Sequence, residues 1–76
     1  MKATIHIERM VDGKGRHPAV LVYTLLNRHE GPLVMLEMNY CGQGVGLGLE
    51  PTEAMAVVSQ LVEAVRELQI KENSNG

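Results

Sequence analysis

Hydrophobic and polar positions recur along this chain with two different periods. Over residues 2–10 apolar and polar side chains alternate, and this period of two indicates a half-buried β-strand. Between residues 51 and 70 the apolar positions instead have the three- and four-residue spacing of one helix face. These positions are Ala54, Val57, Val58, Leu61, Val62, Val65 and Leu68. The pattern predicts a strand at the start of the chain and one long amphipathic helix near its end.

Three further strands are predicted between these two segments. Residues 19–27 and 33–40 are rich in β-branched and aliphatic side chains, and residues 45–49 follow a glycine-containing link. Residues 11–18 and 28–32 contain glycine and proline, and we interpret both segments as loops between strands. No repeat or linker divides the chain.

The start of the helix has several expected features. Pro51 suits the first helical position, because its missing N–H would be unpaired there anyway. Glu53 lies in the first turn, where negative charge is favourable, and Glu50 is the expected N-cap. We therefore predict an α+β fold, an antiparallel β-meander of about four strands with one C-terminal α-helix packed on one face. The domain spans residues 1–70, and residues 71–76 form a disordered C-terminal tail.

A hairpin between the second and third strands, with Asn27 opposite Leu33, separates the side chains into two sets. The first set, called the aliphatic face below, is predicted to meet the helix and contains Ala3, Ile5, Ile7, Val20, Val22, Leu26, Val34, Leu36, Met38, Val45, Leu47 and Leu49. The second set, called the outer face, contains Thr4, His6, Glu8, Ala19, Leu21, Tyr23, Leu25, Met35, Glu37, Asn39, Gly44, Gly46 and Gly48. Because one helix cannot cover both sides of a sheet, the outer face is predicted to be buried by a second copy of the chain, by a target protein, or by both.

Composition supports the need for a partner. A chain of 76 residues without Phe or Trp has a small core, and domains of this size often depend on a disulfide, a metal or a second subunit. The single Cys41 cannot form an internal disulfide, and an unpaired thiol fits the cytoplasm. A formal net charge of −2 argues against nucleic acid, and no apolar run has the length of a membrane span.

The residues with chemical potential do not form a recognisable motif. The glycines at 44, 46 and 48 lack the spacing of a phosphate-binding loop, and the three histidines lack metal-ligand spacing. We expect no metal, no cofactor, no catalytic residue and no enzyme activity. Bare backbone in the glycine strand leaves open a site for a small ligand at Gly44, Gly46, Gly48 and His6.

Three functional hypotheses follow from these observations, and the third is a minor nucleic-acid contact through Lys14 and Arg16. The first is a small, non-enzymatic protein-interaction or regulatory module, inhibitor-, antitoxin- or adaptor-like, which docks on a target protein through the outer face as a homodimer. Its partner-binding residues would be Leu21, Tyr23, Leu25, Met35, Glu37 and Asn39. The alternative is a homo-oligomer that holds a metabolite or nucleotide between facing sheets near the glycine-rich strand.

Overall fold

Four antiparallel strands and one helix make up the fold. The computed structural model describes the backbone of residues 1–75 and the side chains of residues 1–72. The strands are β1 (Lys2–His6), β2 (Ala19–Asn27), β3 (Gly31–Tyr40) and β4 (Gln43–Leu49), and the helix is α1 (Pro51–Asn75). The sheet order β1-β2-β3-β4 is a meander, so the predicted fold class is confirmed.

The two short hairpin turns, β2–β3 and β3–β4, have local explanations. Between β2 and β3 the side-chain Oδ1 of Asn27 accepts hydrogen bonds from the backbone N–H groups of His29 and Glu30, and Gly31 has a φ of 81°. Between β3 and β4, Cys41 and Gly42 have φ values of 55° and 77°. Two consecutive positive φ values are those of a type I′ turn, whose twist matches that of the strands it joins.

The strand register preserves the two predicted faces but differs in detail. Asn27 lies opposite Gly31 and Leu25 lies opposite Leu33, whereas the sequence analysis placed Asn27 opposite Leu33. The difference is two residues, the repeat of a strand, so every β2 and β3 side chain stays on its predicted side. β1 ends at His6, because the chain turns at residues 8 and 9. Glu8 therefore lies in the first loop and not on the outer face.

The contact between the helix and the sheet is smaller than predicted. Within residues 1–75, α1 approaches β3 and β4 but neither β1 nor β2. Among helix residues 51–72 only Ala54 is half-buried, and Leu61 in the apolar stripe is 62% exposed. The aliphatic face, predicted to be the core, is correspondingly open: Val45 is 67% exposed and Leu47 57%. The physical reason for the small contact is that the link between β4 and α1 consists of one residue, Glu50.

The shape of the molecule reflects this open arrangement. The radius of gyration is 15.7 Å, against roughly 11 Å for a compact domain of this length. The solvent-accessible surface is 6319 Å², against about 4,600 Å² for a compact monomer of this mass. Leu33, at 7% exposure, is the one buried apolar residue in the described part of the chain. The protein by itself encloses almost no core.

The end of the helix also differs from the prediction. α1 continues to Asn75, whereas a disordered tail was predicted from residue 71. No glycine or proline interrupts residues 52–75, and Lys71 Nζ lies 3.5 Å from Glu67 Oε1, one turn earlier. Such pairs stabilise a solvated helix end modestly. Gly76, the last residue of the predicted tail, lies outside the described residues.

Candidate interaction surfaces

The outer face brings together the six residues predicted to bind a partner. Leu21 lies opposite Glu37, Tyr23 opposite Met35, and Asn39 opposite Ala19. All six are therefore on β2 and β3, the two central strands. Four of them are half-buried, Leu25 and Asn39 being exposed. They form one continuous surface of apolar and hydrogen-bonding groups.

A hydrogen bond organises the middle of the outer face. The hydroxyl of Tyr23 donates to Oε1 of Glu37 over 2.6 Å. This bond to the carboxylate, with smaller contributions from desolvation and the nearby negative charge, raises the pKa of Tyr23 above its usual 10.0. Lys2 Nζ lies 5.7 Å from the centre of the Tyr23 ring, within the range of a cation–π contact. The outer face thus presents an aromatic side chain held in place beside the exposed Leu25.

The glycines of β4 are explained by the side chains of β3. Gly48, Gly46 and Gly44 lie opposite Met35, Glu37 and Asn39. A methyl group added at Gly48 would lie 3.2 Å from Leu33 Cδ1 and 3.3 Å from Met35 Sδ. One added at Gly46 would lie 3.0 Å from Glu37 Cγ, and one at Gly44 would meet the Asn39 amide. The β3 side chains therefore lie directly beside the bare backbone of the glycine strand.

The fourth residue of the predicted ligand site lies elsewhere. His6 is on β1, opposite Ala19, while the glycines are on β4. These are the two outer strands of the sheet, separated by β2 and β3. At about 4.8 Å per strand, His6 and the glycine strand are roughly 14 Å apart. One protomer does not bring these four residues to a single site.

Two further apolar surfaces were not predicted to be exposed. One is the aliphatic face, whose most accessible members are Ile5, Leu26, Met38, Val45 and Leu47. The other is the helix stripe, defined as Met55, Val57, Val58, Leu61, Val62, Val65 and Leu68, all of which are exposed. From the hydrophobic pattern, these two surfaces were predicted to pack on each other within one chain. The spacing of one residue between Leu49 and Pro51 was the available indication that they would not meet.

Groups with catalytic or metal-binding potential are scattered. His17 donates from Nδ1 to the Met10 backbone oxygen over 2.6 Å, and Cys41 is exposed in the β3–β4 turn. Asp12 accepts backbone hydrogen bonds from Arg16 and Lys14 and a further one from Arg16 Nε. Chiefly because of the Arg16 backbone bond, the pKa of Asp12 is lowered. In the part of the chain that the structure describes, no three His, Cys, Asp or Glu side chains cluster as metal ligands.

No protein family model, no curated protein and no solved structure matches this chain. Within residues 1–75 no helix has both the length and the apolar composition to span a bilayer. The described residues present three apolar surfaces from which a function can be proposed: the outer face, the aliphatic face and the helix stripe.

Proposed function

We propose that this chain is a small, non-enzymatic protein-interaction module that acts as a homodimer and docks on a target protein through its outer face. The observation that carries the proposal is the near absence of a core: Leu33 is the one buried apolar residue among those described. A chain with this distribution of apolar surface can bury that surface by binding another chain. Inhibitors, antitoxins and adaptor subunits behave in this way.

The exposed apolar side chains represent a large amount of stabilisation that one chain does not realise. Burying one Leu, Val or Met side chain is worth about 1.5–3 kcal/mol. The net stability of a whole domain is only about 5–15 kcal/mol. Leaving Leu47, Leu61 and Val65 exposed therefore forgoes stabilisation of the same order as the total. Association recovers it, and a second copy of the chain is always present at matching concentration.

The outer face is suited to a different partner from the other two surfaces. Leu25 is 45% exposed there, and Leu21 and Met35 are half-buried beside it. Tyr23, Glu37 and Asn39 add an aromatic ring and hydrogen-bonding groups. Interfaces with separate proteins have this mixture, with aromatic anchors among apolar and polar contacts. A target with an apolar patch and donors for Glu37 would fit this surface.

The first test is the mass of the protein in solution. Sedimentation at several concentrations is expected to show a dimer, and a monodisperse monomer at every concentration would overturn the proposal. The second test concerns the target. When the chain is immobilised as bait, the Leu25→Asp variant should fail to capture a target protein that the unmodified chain captures. Ser59→Asp, on the polar side of the helix, is the matched control and should retain it. Equal capture by both variants would exclude the outer face as the docking surface.

Two other predictions bear on this proposal: the location of the protein and the ligand-binding alternative. A cytoplasmic location is supported by the single, exposed thiol of Cys41, which would be prone to oxidation in a secreted protein. A ligand held between facing sheets stays a prediction, but one protomer does not bring His6 and the β4 glycines to a single site. For that reason the interaction module is the function that we favour.

A further inference from the structure

We infer that the two copies of the dimer exchange helices, so that the helix stripe of each chain lies on the aliphatic face of its partner. The inference rests on the proposed function, because it requires a dimer, and it specifies which surfaces the dimer buries. It accounts for both surfaces with one contact made twice about a two-fold axis. The outer faces then remain on the outside, available to a target.

The chain's own helix is held away from its aliphatic face. Glu50 alone separates β4 from α1, whereas connections from a strand to a helix packed on the same sheet usually need about 2–6 residues. The Glu50 N–H donates to Glu53 Oε1 over 2.9 Å, and the Ala54 N–H donates to the Glu50 backbone oxygen over 2.9 Å. Both hydrogen bonds stabilise the first turn of the helix immediately after the strand. Pro51 also restricts Glu50 to extended conformations, which stiffens the link further.

The two surfaces match in extent. From Ala54 to Leu68 the helix is about 21 Å long at 1.5 Å per residue. A sheet of four strands is roughly 14–19 Å wide at about 4.8 Å per strand, so one helix can cross all four. At about 100° per residue the stripe covers about 160° of the helix surface. A seam between two helices is narrower than this, whereas packing on a sheet uses a broad stripe.

The two surfaces also match in chemistry. The strand residues that point to the aliphatic face include no Lys, Arg, His, Asp or Glu on any of the four strands. The seven residues of the helix stripe are likewise uncharged. By contrast, the outer face carries Lys2, His6 and Glu37. Two uncharged surfaces can be desolvated against each other without burying an unpaired charge.

The surplus of surface area has the size of a dimer interface. Relative to a compact monomer of the same mass, each chain exposes about 1,700 Å² more than expected. Twice this area, about 3,400 Å², lies within the range of obligate homodimer interfaces, about 2,000–5,000 Å². One reciprocal helix-on-sheet contact would therefore restore the surface area that a compact protein of this length has. A target protein is not needed to explain the open surface.

Crosslinking between single cysteines tests the exchange. In a Cys41→Ser background, one chain carries Leu61→Cys on the helix stripe and an affinity tag. The second, untagged chain carries Leu36→Cys at the centre of the aliphatic face. After the two are refolded together and treated with a short bismaleimide, a covalent tagged–untagged dimer is expected. The matched control, Gln60→Cys on the polar side of the helix, should give several-fold less of this product with the same Leu36→Cys chain.

Each other outcome would overturn the inference. Covalent dimers formed by Leu61→Cys alone, without the mixed product, would show that the helices pair with each other. A chain carrying both Leu36→Cys and Leu61→Cys that crosslinks within itself at high dilution would show that the helix lies on its own sheet. A protein that sediments as a dimer but gives no mixed product would refute the exchange and leave the proposed function standing. A monomer would refute both.

Discussion

The Tyr23 hydroxyl donates a 2.6 Å hydrogen bond to Glu37 Oε1, and this bond joins the two central strands across the outer face. The residues are not directly opposite each other: Tyr23 pairs with Met35, and Glu37 pairs with Leu21. The contact is therefore a diagonal one between neighbouring strands, at a separation that long side chains can bridge. It aligns the aromatic ring that we expect a target to contact.

The titration of Tyr23 should report this bond. Because the hydrogen bond raises the pKa of Tyr23 above 10.0, the folded protein holds the phenol proton more tightly than the unfolded chain does. The stabilisation is present below pH 10.0 and is lost as the pH rises through the folded-state pKa. In a Tyr40→Phe background, tyrosinate absorbance should give a midpoint above 10.0, and Glu37→Ala should lower it. An unchanged midpoint would contradict the assignment, and Glu30→Ala serves as the control.

Substitutions in the glycine strand should differ according to what lies above each glycine. At Gly48 an added methyl group meets Leu33 and Met35, and Leu33 is the one buried apolar residue among those described. Overpacking of this kind costs about 1–3 kcal/mol, so Gly48→Ala should lower the free energy of unfolding by that amount. At Gly44 the neighbour is the end of the exposed Asn39 side chain, which can move aside. Gly44→Ala should change stability by less than about 0.5 kcal/mol, and urea unfolding of both variants measures the difference.

A single substitution in the β3–β4 turn should stabilise the protein. Cys41 has a φ of 55°, a conformation that costs most residues about 1–2 kcal/mol but that Asn tolerates. Asn-Gly is also the preferred sequence of a type I′ turn. Cys41→Asn should therefore raise the free energy of unfolding by up to about 1 kcal/mol. Cys41→Val should lower it, because a β-branched side chain is disfavoured at positive φ. Equal stability of the three proteins would argue against a strained turn.

The helix stripe should contribute to stability only if it is covered. Leu61 is 62% exposed in one chain, and an exposed substitution changes stability by no more than about 0.5 kcal/mol. In a dimer that buries it, Leu61→Ala should cost about 2–5 kcal/mol. The melting temperature should also rise with protein concentration, as mass action requires of a folded dimer. The matched variant is Gln60→Ala, which should melt like the unmodified protein. A small, concentration-independent effect of Leu61→Ala would mean that the stripe is exposed in solution.

The alternation of residue types was sufficient to predict which side chains share a face. Strands repeat every two residues, so the error that placed Asn27 opposite Leu33 and not Gly31 left the membership of both faces on β2 and β3 unchanged. Because both registers keep the same side chains together, the hydrophobic pattern could not identify the exact pairing. The turn at residues 28–30 could be closed in either register without mixing apolar and polar side chains.

The role of the β4 glycines could be recognised only once the strand register was known. Spacing at every second residue placed them all on one side of a strand but could not show what lay opposite. Only the pairing of Gly48 with Met35 and of Gly46 with Glu37 shows that longer side chains lie directly beside them. The same holds for Tyr23 and Glu37, whose hydrogen bond depends on a diagonal between two strands.

The amino-acid sequence by itself determined the four strands, the helix and the two chemically distinct sides of the sheet, because these depend on local propensity and on periods of two and 3.6 residues. The direction of the helix was decided by the tertiary structure. A strand that ends at Leu49 and a helix that begins at Pro51 leave Glu50 alone to turn the chain, and that distance is too short for the helix to return over its own sheet.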